Sequence, residues 1–119
     1  MSTLETALTD LMSVNGAMAV AVADYTSGMI VGSKGSGIDM EIAAAGNTDL
    51  LRAQLRTMTD LDLTGPIEDI LITLDTQYQI IRPAQNAPGL FIYFVLDKTR
   101  GNLALARRKV QDVDRELVV

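Results

Sequence analysis

The 119 residues predict an α+β sandwich, a five-stranded antiparallel sheet with one long helix on one face and two terminal helices on the other. Three observations lead there. Apolar residues recur at helical spacing near each terminus and over residues 39–61. Between these stretches lie β-rich runs joined by short turn sequences, in the order helix, hairpin, long helix, three strands, helix. Two of the runs, 17–25 and 90–96, are apolar on both faces, so both sides of the sheet need cover.

Residues 2–13 read as a short amphipathic helix. Ser2 and Glu5 fit a capping box, and Leu4, Leu8, Leu11 and Met12 form one stripe. Asn15-Gly16 breaks the period. The strand 17–25 follows, with Val20 and Val22 on one face and Ala19, Ala21 and Ala23 on the other, an alanine face that calls for something pressed closely against it. Thr26-Ser27-Gly28 turns the chain into a hairpin partner, 29–33. The link 32–37, GSKGSG, lacks the GxxxxGK[ST] order of a phosphate-binding loop and reads as a flexible strand-to-helix connection.

The helix at 39–61 is the element around which the chain is organised. Met40, Ala44, Asn47, Leu51, Leu55, Met58 and Leu61 form its core stripe. On the opposite flank Ile42, Ala45, Gly46, Asp49, Ala53 and Arg56 make a second surface of small residues edged by charge. A glycine inside a helix costs about 1 kcal/mol relative to alanine, which points to a second backbone approaching at Gly46. An exposed surface filled with small residues is the other reading of this flank. Gly65-Pro66 reads as the helix stop. Asp60, Asp62, Thr64 and Gly65 imitate half a calcium loop, but Leu71 stands where a bidentate glutamate is required.

Residues 70–74 place Ile70, Ile72 and Leu74 on one face and Leu71 and Thr73 on the other. Asp75-Thr76 turns into 77–83, and 84–89 is a loop. The run 90–96 alternates Leu90, Ile92, Phe94 and Leu96 against Phe91, Tyr93 and Val95, which makes it the candidate central strand. The last helix, 100–117, carries its stripe on Leu103, Ala106, Val110, Val113 and Leu117. From Lys98 to Lys109 there are five basic residues and no acidic one. They form either a solvated face or a site for an acidic partner or anionic lipid.

Composition excludes much chemistry. With neither cysteine nor histidine there are no disulfides, thiolate nucleophiles, zinc sites with nitrogen or sulfur ligands, or imidazole bases. A net charge of −5 disfavours nucleic acid as a partner. No signal peptide and no run of about 20 apolar residues is present, and a cytoplasmic location is expected. The carboxylate pairs Asp60/Asp62 and Glu68/Asp69 sit at a helix exit and a strand start, where caps and turns explain them. No catalytic or metal-binding residue and no cofactor is expected.

The stretches VNGAMAVAVADYTSGMIVGS, AAAGN, EDILITLDTQYQIIRP and LDKTRGNLALARRKVQDVDREL together resemble the roadblock / dynein light chain family in its bacterial form, over about residues 4–117. The resemblance implies one profilin-like domain spanning 1–119, with sheet order 2-1-5-4-3 and strand 70–74 on an edge. It also implies a homodimer formed by that edge strand and the long helix. The interface would then hold Ile42, Ala45, Gly46, Asp49, Ala53, Ile70 and Ile72. As a function it implies a non-enzymatic regulator or scaffold of a small Ras-like GTPase. Arg52 and Arg56, four residues apart on the long helix, would be the partner-binding residues, unless Asp49 and Asp60 tie them into a solvated ion-pair ladder. A structural adaptor without a GTPase and a small-ligand sensor are the alternatives.

Overall fold

A computed structural model describes residues 3–118. The elements run α1 (Leu4–Met12), β1 (Ala17–Asp24), β2 (Met29–Gly35), α2 (Met40–Asp60), β3 (Ile70–Thr73), β4 (Gln77–Pro83), β5 (Leu90–Asp97) and α3 (Leu103–Glu116). All strand pairs are antiparallel, in the order β2-β1-β5-β4-β3, so β5 is central and β3 lies on an edge.

Strand alternation divides the core into two layers. On one side Val20, Val22, Ile80, Ile92, Phe94 and Leu96 meet Leu8 and Leu11 of α1 and Ala106, Val110 and Val113 of α3. On the other side Ala23, Ile81, Phe91, Tyr93 and Val95 meet Ala44 and Leu51 of α2. Ala19, Ala21 and Ala23 are at most 1% exposed, which is how the missing side-chain bulk lets α2 settle close to β1.

Local chemistry departs from the sequence expectation at several points. Ser2 lies outside the described residues, and α1 is capped by Thr3, whose hydroxyl accepts from the Thr6 N–H. Leu61 is 63% exposed and leaves the core stripe, while Thr48 joins it, 3% exposed and with no hydrogen-bond partner on its hydroxyl among the described residues. The stop of α2 is Asp62, not Gly65-Pro66. Asp62 has φ 57°, the Asp62 N–H bonds to the Thr59 carbonyl and the Leu63 N–H to the Met58 carbonyl. These two bonds are a Schellman ending, with aspartate in the left-handed position that glycine usually holds. Strand β3 ends at Thr73, leaving Leu74 in the turn. Helix α3 begins only after Asn102, whose side chain accepts from the Leu105 N–H.

The glycine-rich link is not a free loop either. Residues 32–35 extend β2, and Lys34 pairs with Glu5 of α1 at 2.6 Å. A bulge interrupts the ladder, because Val22 faces Gly32 while Ala23 faces Ile30, leaving Val31 without a partner.

Candidate functional site

The two free edges of the sheet differ. Strand β2 carries the bulge, two glycines and a lysine, all features that discourage another strand from adding there. Strand β3, Ile-Leu-Ile-Thr, has no charge and among the described residues pairs with β4 alone, over an unbroken register from Ile70↔Ile81 to Thr73↔Tyr78. Ile70 and Ile72 pack inward on the α2 side, so the free part of this strand is its backbone edge together with Leu71, 37% exposed. Leu74, which follows the strand, and Leu50 of α2, which shares a groove with Ile70, are also exposed. A groove of about 330 Å³ runs between α2 and the strand, lined by Leu50, Gln54, Ile67, Asp69 and Ile70.

The outer flank of α2 faces solvent in the single chain. Ile42 is 71% exposed, Ala45, Gly46, Asp49, Arg52 and Arg56 are exposed, and Ala53 is half-buried. A Cβ built on Gly46 meets nothing within 4 Å among the described residues, so none of their packing requires glycine there. The alternative reading of this flank, an ion-pair ladder, is not formed among the described residues. Among the described residues Arg52 and Arg56 make no ion pair with Asp49 or Asp60, which leaves both guanidinium groups presented to solvent.

The basic run 98–109 is largely engaged within the chain. Arg107 donates from Nε and Nη2 to the two carboxylate oxygens of Asp69 at 2.8 and 3.0 Å. Those bonds, and then the charge of Asp69, raise the Arg107 pKa above its ordinary value. Lys98 lies 5.6 Å from the Tyr78 ring centre, and its Nζ reaches the Leu74 carbonyl at 3.4 Å. Arg100 stands 3.8 Å from Asp97. Arg107 is therefore not available to an acidic partner in this state.

Sequence reasoning missed a buried polar centre beside β3. Arg82 of β4, 9% exposed, donates from Nε to Asp114 of α3 at 2.8 Å and from Nη1 to the Glu68 carbonyl at 2.9 Å. Asp114, 1% exposed, also accepts the Gln85 N–H at 3.0 Å. One signal was present: in α3, Asp114 directly follows Val113 of the apolar stripe, where a carboxylate needs a cation. Among the described residues no cluster of three or more histidine, cysteine, aspartate or glutamate side chains could hold a metal, and no helix is long and apolar enough to cross a membrane.

No family model and no curated protein matches the chain by sequence. Solved structures do match. The Roadblock/LC7 domain from Streptomyces avermitilis aligns with TM-score 0.82 at 13% identity, over 97% of this chain and 94% of that one. MglB of Myxococcus xanthus aligns with TM-score 0.81 at 14% identity, over 95% and 92%. An MglB with a tetrameric arrangement aligns with TM-score 0.80 at 12% identity, over 92% and 81%. With TM-scores of 0.80–0.82 over 92–97% of its length, the chain has the Roadblock/LC7 fold.

Proposed function

We propose that this chain, as one domain over residues 1–119, is a non-catalytic homodimeric module. It would pair through the β3 edge and the adjacent flank of α2, and bind and regulate a small Ras-like GTPase in the cytoplasm. The observation that carries the dimer is the unprotected β3 edge. An uncharged, unbulged edge strand with Leu71, Leu74 and Leu50 exposed on or beside it is an aggregation hazard unless a partner covers it, and a two-fold mate covers it with its own copy. Gly46 agrees with this reading: its cost within α2 has no return inside the chain and gains one if a second α2 crosses there.

The GTPase reading rests on the sequence resemblance and the shared fold, and Arg52 and Arg56 are the residues proposed to meet that partner. Exposed and without ion pairs among the described residues, they are free to make charge-assisted bonds to a switch region or a phosphate.

Sedimentation tests the dimer. Gly46→Arg is expected to fold normally, because the single chain has open space at that Cβ, and to weaken self-association at least tenfold. A wild-type monomer at micromolar concentration would sink the reading. Pull-down with a small Ras-like GTPase in its GDP and GTP states tests the partner. Arg52→Ala and Arg56→Ala should each weaken capture at least tenfold while the dimer persists. Unchanged capture in both variants would move the docking surface elsewhere on the module, and no capture of any GTPase by the wild type would leave an adaptor without a GTPase.

A further inference from the structure

Strand β3 is only four residues long, and residues 61–69 before it form neither helix nor strand. An edge strand so short, approached by so long an irregular segment, frays readily unless something fixes its start. Two polar anchors do so, on consecutive residues. The Glu68 carbonyl accepts from Arg82, and the Asp69 carboxylate receives both prongs of Arg107.

Both anchors lead back to one helix. Arg107 belongs to α3, and Arg82 is held from behind by Asp114, seven residues further along α3. Seven residues are nearly two full turns, so Arg107 and Asp114 stand on the same face of the helix. The Asp69 side chain is 9% exposed and that of Arg107 42%, so this pair is partly desolvated and geometrically constrained, unlike an ordinary surface ion pair.

We infer that this face of α3 is a clamp that positions β3 as a pairing edge, with Asp69 and Arg107 as its adjustable half. The clamp reaches β3 from α3, which packs on the sheet face opposite α2, and sets whether the β3 backbone is straight and ordered enough to accept a second strand. Ordering the edge in advance spares association the entropy of freezing it, which strengthens pairing without adding a contact across the interface. Anything that draws Arg107 away from Asp69, an acidic segment of a bound partner included, would loosen the edge. The pairing role rests on the homodimer proposed above; the positioning of β3 within one chain does not.

The test uses the full chain with Asp69→Asn, Arg107→Lys and the exchanged pair Asp69→Arg/Arg107→Asp. Two readouts are taken: amide hydrogen exchange of β3 against β1 and β5, and the dimer dissociation constant by sedimentation. Asp69→Asn, which keeps the shape and removes the charge, should speed β3 exchange at least tenfold more than that of β1 and β5 and weaken the dimer at least tenfold. Arg107→Lys keeps the charge but loses the fork and should fall between, and the exchanged pair should recover part of both effects. Equal acceleration in every strand would show that the pair contributes only global stability and would overturn the inference, as would unchanged β3 exchange. A monomeric wild type would remove the dimer while the exchange data still decide the clamp, and faster β3 exchange with an unchanged dimer constant would refute the link between them.

Discussion

Asp114→Ala is expected to destabilise the protein by about 3–5 kcal/mol, a large share of the roughly 5–15 kcal/mol that holds a domain of this kind together. The carboxylate is 1% exposed and joins three segments: α3 itself, β4 through Arg82, and the β4–β5 loop through the Gln85 N–H. Removing it leaves a guanidinium that is 9% exposed with, among the described residues, the Glu68 carbonyl as its one remaining hydrogen-bond partner, and leaves the Gln85 N–H without its acceptor. The uncompensated charge dominates the cost, since a single lost neutral bond accounts for about 1 kcal/mol. Replacing both partners, Arg82→Met with Asp114→Leu, should restore much of the stability, because no charge then remains buried. Urea denaturation of the two variants measures this. A loss below about 1 kcal/mol for Asp114→Ala would mean that Arg82 reaches water once released.

Gly35→Ala is the second large effect, expected at about 2–4 kcal/mol from two causes of similar size. The residue has φ +99°, where a side chain costs about 1–3 kcal/mol. Its added Cβ would also run into the Met18 carbonyl oxygen and stand 2.6 Å from the Ala19 Cα, backbone atoms of the neighbouring strand that cannot rotate away. The contrast with Gly37, two residues on, isolates the second cause: its φ is +87° but nothing lies within 4 Å, so Gly37→Ala should carry the conformational cost alone. Thermal unfolding of the two variants side by side decides it. Equal losses would show that the ladder at β1–β2 yields to the extra methyl.

The fold was legible because its main signals are local. Residues 90–96, apolar on both faces, could only be an interior strand, and β5 is indeed central. The α3 stripe through Ala106, Val110 and Val113 is buried as its spacing requires. The alanine face of β1 called for something pressed closely against it, and α2 lies there. Where the reading failed, the deciding partner was distant or the conformation rare. GSKGSG looked flexible by composition, and only the pairing of β2 with β1 shows that Gly35 is a packing glycine. Gly65-Pro66 had the stronger stop signal by residue type, yet Asp62 takes the left-handed conformation because the chain must turn there, just after the last turn of α2.

By itself, then, the sequence determined the periodicities: which stretches are helix or strand, which faces are apolar, and that both sides of the sheet are covered. Spacing carries that information, since side-chain direction repeats every 3.6 residues in a helix and every two in a strand. Only the tertiary structure decided the partners of the charged groups. Arg82 finds Asp114 across 32 residues and Arg107 finds Asp69 across 38, pairings no periodicity encodes, because they depend on where α3 lies against β4 and the start of β3. Within the basic run, whose spacing left a solvated face and a partner site both open, only the fold commits Arg107 to Asp69 and so to the hold on the β3 edge.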